Sequence, residues 1–320
     1  MKQQTKPKIS IVMSTYNEPL NWVTESIDSI LNQTFTNFEF IIINDKPERK
    51  ELQEFLEKYQ KQDKRIVLIK NEKNIGLTKS LNKGLKKARG KYIARMDADD
   101  ISLPKRFEIQ YNYLENNPSI DVLGTGSQNI DEAGNKGLKF KPLTNPIKIK
   151  KLLLLKNCFY HPSIMFRNKN YLYREKFIYA QDYDLYLNLI SRNKNLSNLP
   201  EPLIKYRINP NAISWSKKGK QRLFHDKAIE FYNQKLKYGR DYYERFNPQK
   251  IIDIDIERTT NPTLLKQEIY ASFKINDFKK VKKFCKKYFR SKKYFDKILI
   301  YYFLSFTGKK FVNLIRKIIF

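Results

Sequence analysis

The chain has 320 residues, of which 41% are hydrophobic, so it can bury a substantial core and is not an intrinsically disordered protein. Its net charge of +30, from 63 Lys and Arg against 33 Asp and Glu, is compatible with binding to nucleic acid, with binding to an anionic membrane, or with general compositional drift. Two cysteines, Cys158 and Cys285, lie far apart and match no metal-binding or redox spacing.

The first 125 residues alternate strand patterns with helix patterns. Short apolar runs predict strands at Ile9–Met13, Phe38–Ile43, Ile66–Ile69 and Tyr92–Ala94. Apolar residues three and four apart predict helices over 22–31, 52–59 and 77–88, the last ended by Gly90. Apolar strands that alternate with amphipathic helices predict an α/β fold, with a mostly parallel sheet covered on both faces. Ligands bind beyond the carboxyl ends of the strands in such sheets.

The remaining elements are less regular. We predict a loop or hairpin over 131–146, helices over 147–155, 182–190 and 216–238, strands over 163–166 and 203–208, and a Lys-rich helical region from about 260. We therefore expect a nucleotide-binding half over 1–126, an acceptor-binding half over 127–240, and a basic helical extension over 241–320.

Three carboxylates follow the fourth predicted strand, in Asp97-Ala98-Asp99-Asp100. Asp97 and Asp99 are two residues apart on an extended segment, so both can face the same crevice. Carboxylate oxygens of this kind suit Mg²⁺ or Mn²⁺. A solvated acidic turn at the start of the next helix is the simpler alternative. Asp45 and the loop 15–18 follow two other strands, and this convergence favours an active site.

Several of these segments together resemble the family 2 glycosyltransferases. The segments that match in order and spacing are Ile9–Glu18, Gln33-Thr34-Phe35, Phe38–Asp45, Asn74-Ile75-Gly76-Leu77, Gly90–Pro104 and His161-Pro162-Ser163. The resemblance covers about residues 8–215 and implies a GT-A fold, with a nucleotide-sugar donor bound in one half and an acceptor in the other. The pattern is most similar to that of bacterial enzymes that extend lipooligosaccharide, capsule or related surface glycans.

The resemblance also implies roles for individual donor-side residues. Thr15, Tyr16 and Glu18 would line the base and ribose pocket of a UDP-sugar, and Asp45 would hydrogen-bond the base or ribose. Asp97 would face the ribose and diphosphate, and Asp97 with Asp99 would hold the Mn²⁺ or Mg²⁺ ion. A turn at Thr15 and a strand-end cap at Asp45 are the structural alternatives.

One departure from the family concerns the loop after the second strand. It reads Asn44-Asp45-Lys46-Pro47 where the family often has Asp-Asp-Gly-Ser. The retained Asp45 keeps the main contact that the resemblance implies, whereas the changed residues around it leave the geometry of this loop open.

A second acidic segment, Gln181-Asp182-Tyr183-Asp184, falls where the family has its catalytic base. Inverting transfer needs a base that takes the proton from the attacking acceptor hydroxyl. The resemblance assigns this role to Asp182, with Asp184 as the lesser candidate and helix capping as the alternative. His161 would lie near the diphosphate, unless it is a buried structural histidine. Arg95 would pair with the acidic cluster or with phosphate.

The C-terminal region concentrates the positive charge. Residues 261–320 contain 16 Lys or Arg and 3 Asp or Glu, a net charge of +13, interleaved with aromatic residues. The apolar run Ile298–Phe306 is shorter than the ~20 residues that span a bilayer, and the final stretch 311–320 is amphipathic. We expect a cytoplasmic protein attached peripherally to the inner membrane face, where a lipid-linked acceptor resides. Packing of these aromatic residues within the protein is the alternative.

Two other functions compete with glycosyl transfer. A nucleic-acid-binding protein would use the basic aromatic tail, but carboxylates at three strand ends would repel phosphate. A sugar nucleotidyltransferase also uses paired aspartates, but it would need a Gly-rich basic loop where this chain has Glu18. We therefore predict no nucleic-acid partner.

Overall fold

The computed structural model describes residues 6–209, 218–274, 276–291, 296–309 and 311–312. The chain divides into two compact units. The unit that contains the segments resembling the glycosyltransferase family, called the catalytic unit for the activity that the resemblance implies, comprises Met1–Ile208 and Phe231–Asp241. The C-terminal unit comprises Asn209–Glu230 and Tyr242–Phe320. The expected functional boundaries at residues 126 and 240 stay predictions.

The catalytic unit is built on one sheet of nine strands, counted over the described residues, in the order β3-β2-β1-β4-β8-β6-β9-β5 with β7 paired to β6. The strands are β1 Ile9–Thr15, β2 Phe38–Asn44, β3 Ile66–Lys70, β4 Tyr92–Asp97, β5 Ile101–Ser102, β6 Ile120–Ile130, β7 Lys136–Phe140, β8 Met165–Arg167 and β9 Asn195–Arg207. The helices of this part of the chain are α1 Leu20–Leu31, α2 Lys50–Gln62, α3 Leu77–Lys87, α4 Arg106–Asn116, α5 Pro146–Leu153 and α6 Gln181–Ile190.

The N-terminal strands β3, β2, β1 and β4 are parallel neighbours. Alternate side chains of β1 face opposite sides of the sheet. Ile11 and Met13 belong to a buried cluster with residues of α1, α2 and α4. Val12 lies on the other face, where Gly84 of α3 packs against it. The prediction of a mostly parallel sheet covered on both faces is confirmed.

The expected role of Gly90 was wrong. Helix α3 ends at Lys87 and is followed by Ala88 as its C-cap residue. Gly90 instead lies against strand β1, where an added Cβ atom would come within 2.5 Å of the Ser10 backbone nitrogen. Glycine is required here because the backbones of two segments approach closely, and not because a helix must be terminated.

The second half of the sheet is mixed. Strand β8 pairs antiparallel with both β4 and β6, and β6 pairs parallel with the long strand β9. Strand β7 forms the predicted hairpin with β6. The predicted strand 163–166 is shorter, because His161–Ser163 forms a turn of 3₁₀ helix. Strand β6 itself was missed by the sequence analysis.

The C-terminal unit is helical, as predicted. Helix Lys218–Tyr238 is divided between the two units, and helices Gln249–Ile252, Pro262–Lys274, Phe278–Ser291 and Ile298–Leu304 follow. Its core consists of Leu265, Ile269, Phe273, Val281, Phe284, Cys285, Tyr288, Ile298 and Val312. Within the described ranges, no helix combines the length and the apolar character that a bilayer crossing demands. Most of the amphipathic stretch 311–320, namely residues 313–320, lies outside the described residues.

Candidate active site

The carboxyl ends of three parallel strands meet at one edge of the sheet. Thr15 of β1 is in register with Asn44 of β2, and Ser14 is in register with Asp97 of β4. The Asp45 backbone N–H also donates to the Thr15 carbonyl at 2.9 Å. The residues predicted at separate strand ends therefore lie beside one another.

Glu18 organises the loop that follows β1. Its Oε2 atom accepts hydrogen bonds from the Thr15 hydroxyl and from the Tyr16 backbone N–H, both at 2.8 Å. The Tyr16 ring is exposed, and the Lys46 ammonium lies 4.8 Å from its centroid. Lys46, which belongs to the segment that departs from the family pattern, thus covers one side of an aromatic ring beside the carboxyl ends of β1 and β2.

Asp45 is buried and holds the segment before α3. Its Oδ1 atom accepts from the Asn71 side chain at 2.8 Å and from the Ile75 N–H at 2.9 Å, while Oδ2 accepts from the Gly76 N–H at 2.9 Å. Gly76 has a φ of 83°, which only glycine adopts readily. A carboxylate has about four lone-pair sites, and these three contacts occupy three of them.

The acidic cluster lies directly after β4. Asp97, Asp99 and Asp100 each offer a carboxylate oxygen, and these atoms lie within 4.8 Å of one another. Burial, together with the charges of Asp97 and Glu18, raises the pKa of Asp99 to about 7. Burial and the two neighbouring aspartates also raise the pKa of Asp100 well above its usual range.

This donor set fits a divalent cation. Three hard oxygen ligands converge, and their mutual repulsion falls when a cation binds between them. The Asp100 Oδ2 atom is also buried and, within the described chain, has no hydrogen-bond partner. The residues present are therefore suited to Mg²⁺ or Mn²⁺.

Arg95 and His161 lie behind the cluster. The buried Arg95 guanidinium forms an ion pair with the Asp97 carboxylate. Its Nε and Nη1 atoms are buried without a hydrogen-bond partner among the described residues. The His161 Nε2 atom lies 2.7 Å from the Tyr173 hydroxyl. Burial and the charge of Arg95 hold the pKa of His161 well below its usual range, so the imidazole is neutral.

Asp182 lies in the first turn of α6, and the Asn157 side-chain amide donates to its Oδ2 atom at 2.7 Å. Burial raises the pKa of Asp182, and the charge of Asp97 adds a smaller effect in the same direction. Asp184 has a different environment, since its buried carboxylate is held by the Arg174 guanidinium, with one contact of 2.8 Å from Nε. Asp182 is therefore held by a neutral amide, whereas Asp184 is held in an ion pair.

Sequence reasoning missed Arg207, at the end of β9. Its backbone N–H donates to the Asp100 Oδ1 atom and its Nε to the Asp99 carbonyl, both at 2.8 Å. Its guanidinium also pairs with Glu25 and lies 4.9 Å from the Trp22 ring centroid. Arg207 thereby fixes the backbone of the acidic cluster. No sequence signal marks it, because the contact joins residues more than one hundred positions apart.

Comparison with known proteins places this geometry in context. The profile of glycosyl transferase family 2 matches residues 10–175. An uncharacterised glycosyltransferase of Methanocaldococcus jannaschii is 46% identical over 227 residues, which cover 69% of this chain and 78% of that protein. WbnJ, an O-antigen biosynthesis glycosyltransferase of Escherichia coli, is 39% identical over 63% of this chain and 80% of its own length.

The fold is similar to that of a solved structure. TarS residues 1–349 of S. aureus, crystallised in complex with UDP-GlcNAc, superpose with a TM-score of 0.56 over 89% of each chain, at 16% sequence identity. At this identity the likeness concerns the fold, which is GT-A, as expected. The C-terminal helical extension is present as well.

Proposed function

The chain belongs to glycosyl transferase family 2, and from this premise we propose that it moves a sugar from a UDP-hexose or UDP-N-acetylhexosamine to a hydroxyl of a growing bacterial surface glycan. The O-antigen assignment of WbnJ supports the acceptor class, and the complex of TarS with UDP-GlcNAc supports the donor class. The observation that carries the proposal is the acidic cluster at the end of β4, in register with the ends of β1 and β2.

The donor occupies the crevice at these strand ends. The base and ribose lie against Thr15, Tyr16, Glu18 and Asp45. These residues supply two carboxylates, a hydroxyl that donates to Glu18, and an exposed aromatic ring. Hydrogen bonds within the protein hold both carboxylates before the donor arrives. This preorganisation reduces the ordering cost of binding.

Asp97 and Asp99 would hold a Mn²⁺ or Mg²⁺ ion that neutralises the charge developing on the diphosphate leaving group. Arg95 orients Asp97 through their ion pair, and its buried positive charge offsets part of the negative charge of the acidic cluster. The neutral His161, hydrogen-bonded to Tyr173, adds a polar group on the same side without a second positive charge.

Asp182 acts as the general base of an inverting displacement. The acceptor oxygen forms a bond to the anomeric carbon while the bond to the diphosphate oxygen breaks, and the acceptor proton moves to the Asp182 carboxylate. Asn157 holds this carboxylate through its amide. The raised pKa makes Asp182 a stronger base than an exposed aspartate, and such a base contributes about 10²–10⁴-fold to the rate.

A donor-hydrolysis screen tests the proposal. A set of nucleotide sugars is incubated with the wild-type protein and with Asp99→Ala, in the presence and absence of Mn²⁺. We expect hydrolysis of a UDP-sugar that Mn²⁺ stimulates, and loss of that stimulation in Asp99→Ala. Asp253→Ala, a change at an exposed aspartate of the C-terminal unit, is the matched control. Hydrolysis that Asp99→Ala leaves intact would contradict the role of this carboxylate.

The stereochemistry needs a separate measurement. Proton NMR of the transferred sugar reports the anomeric configuration of the product. We expect inversion relative to the donor, because one carboxylate base in a single displacement needs no covalent intermediate. A product that keeps the donor configuration would overturn this mechanism.

We also propose cytoplasmic residence with peripheral attachment to the inner membrane face through the C-terminal unit. Helix Phe278–Ser291 buries Phe284 and Tyr288 in the core of that unit, so these rings do not form an interfacial face. Its opposite side exposes cationic residues, namely Lys279, Lys280, Lys283, Lys286 and Arg290. Phe303 and Phe306 are also exposed, at 62% and 58%. This combination of lysines and aromatic rings supports contact with an anionic bilayer.

A further inference from the structure

A second lysine-rich surface lies in the catalytic unit, within residues 136–156. This segment contains seven lysines and no Asp or Glu. All seven are exposed, namely Lys136, Lys139, Lys141, Lys148, Lys150, Lys151 and Lys156. A stretch of 21 residues with charge of one sign attracts an anionic partner over roughly a Debye length. We call this segment the 136–156 surface.

The 136–156 surface also exposes large apolar side chains. Leu138, Ile147 and Leu155 are 81%, 69% and 71% exposed, and Phe140, Leu143 and Leu154 are exposed as well. Water contact with so many apolar groups is unfavourable, at about 25 cal/mol per Å². So many exposed apolar groups indicate a surface that binds a membrane or another molecule.

The way helix α5 packs on the sheet leaves some of its apolar side chains exposed. Its buried residues, Ile149 and Leu153, are four positions apart on one face. Ile147 and Leu154 therefore lie on the opposite side, with Lys150 and Lys151 on either side of them. An apolar stripe flanked by lysines is typical of helices that lie in a membrane interface.

The segment is fixed to the sheet on both sides of α5. Strand β7 pairs with β6, and the side chains of Ser197 and Asn198 donate to the Thr144 and Leu143 carbonyls at 2.7 and 2.9 Å. Asn145 caps α5 through bonds to two backbone N–H groups. The exposed groups are thus held in a defined arrangement and not on a free loop.

Two contacts connect the 136–156 surface to the candidate active site. The Phe140 ring lies 5.3 Å from Tyr160, whose ring lies 4.9 Å from Tyr206. The charges of the acidic cluster raise the pKa of Tyr206 in addition to the main effect of burial, so Tyr206 lies near that cluster. At the other end, Asn157 follows Lys156 directly and holds Asp182.

We propose that the 136–156 surface docks the catalytic unit on an anionic lipid bilayer and presents the site beside Asp182 to a lipid-linked glycan acceptor. The acceptor class rests on the proposed function, whereas the docking itself rests on the surface alone. Lysines complement anionic headgroups, and Leu138, Ile147 and Leu155 enter the interfacial layer. Nucleic acid would engage the lysines but would gain nothing from exposed leucine and isoleucine.

Vesicle flotation with the full-length protein tests this inference. Vesicles of phosphatidylcholine, with or without phosphatidylglycerol, are mixed with the wild type and with the triple variant Lys148→Glu, Lys150→Glu and Lys151→Glu. We expect binding only to vesicles with phosphatidylglycerol, and a partition at least about tenfold weaker for the variant. The matched control is Lys58→Glu with Lys61→Glu and Lys64→Glu, which reverses three exposed lysines elsewhere in the same unit and should bind as the wild type does.

A second variant removes apolar groups without a change of charge. Ile147→Asn with Leu155→Asn should weaken the partition by a similar factor and should make it more sensitive to salt. Circular dichroism of each variant establishes that it is folded. If the lysine variant and the apolar variant both float as the wild type does, the inference is wrong.

Two further outcomes distinguish this inference from membrane binding by the C-terminal unit alone and from self-association. If Lys279→Glu with Lys286→Glu abolishes flotation while the 136–156 variants float normally, the C-terminal unit alone binds the membrane and the inference is wrong. If the variants change only the size-exclusion volume, the surface joins copies of this chain. Donor hydrolysis without vesicles is measured on the same samples. If the wild type hydrolyses no donor, the proposed function is wrong, but the flotation result still tests the docking.

Discussion

The hydrogen bond from Asn157 to Asp182 makes the assignment of the base testable through pH. The Asn157 amide donates to the Oδ2 atom at 2.7 Å, and this bond favours the charged carboxylate. Asp182 must be unprotonated to take a proton, so the transfer rate falls as the pH drops through its pKa. Asn157→Ala removes the bond, the charged form loses stability, and the pKa of Asp182 rises further above its usual range.

The size of the shift follows from the strength of the bond. A hydrogen bond to a charged group contributes about 1.5–3 kcal/mol. One pKa unit corresponds to about 1.4 kcal/mol, so the acid limb of the rate profile should move upward by about one to two pH units. The rate on the alkaline side of the limb should fall much less, because the carboxylate is ionised there in both proteins.

The assay is the transfer rate at saturating donor and acceptor, measured from acid to neutral pH. Asn145→Ala is the matched control, since Asn145 caps α5 and lies in the same segment of the chain. It should lower the stability by about 1 kcal/mol without a shift of the acid limb. A uniform loss of rate in Asn157→Ala, with the limb unmoved, would refute the role of Asp182 as base.

Three further predictions concern other parts of the catalytic unit. Asp182→Asn should slow transfer by about 10²–10⁴-fold, while the affinity for UDP in isothermal titration calorimetry stays within about twofold of the wild type. Asp45→Asn keeps one oxygen and turns an NH2 group toward the donors of the other, either Gly76 or Asn71 with Ile75, so it should cost about 1–3 kcal/mol of unfolding free energy in urea denaturation. Ile27→Ala truncates a fully buried side chain and should cost about 2–5 kcal/mol in the same experiment. Unchanged denaturation midpoints for both of these variants would contradict the packing described above.

The N-terminal strands were predictable because burial on both faces leaves a continuous apolar run. The only polar residues in Ile9–Met13 and Phe38–Ile43 are Ser10 and Glu39, and both are buried because the Ser10 hydroxyl donates to the Glu39 carboxylate. Once these strands are known to be parallel, their carboxyl ends must lie at one edge. The neighbourhood of Thr15, Asp45 and Asp97 then follows without any structure.

Strand β6 could not be found in this way. Its second half reads Gly124-Thr125-Gly126-Ser127-Gln128-Asn129, which has no apolar alternation, yet most of these residues are buried. Pairing with β9 and β7 satisfies their backbone groups. Arg207 was missed for a related reason, because its contact with Asp100 exists only after β9 has joined the sheet.

The tail illustrates an ambiguity in the helical pattern itself. Val281, Phe284, Cys285 and Tyr288 are three and four positions apart among lysines. Such spacing suits an interfacial helix and equally a helix that covers the core of a small unit. The structure shows the second arrangement for these four residues, whereas other apolar residues of the tail, Phe303 and Phe306 among them, are exposed.

The most direct test of the central claim measures the cation at the acidic cluster. Electron paramagnetic resonance of free Mn²⁺, titrated with protein in the presence of UDP, reports how much metal is bound. We expect one Mn²⁺ bound per wild-type chain, and a large loss of affinity in Asp99→Asn but not in the control Asp253→Asn. Equal Mn²⁺ binding by the wild type and by Asp99→Asn would contradict the assignment of the donor site to the end of β4.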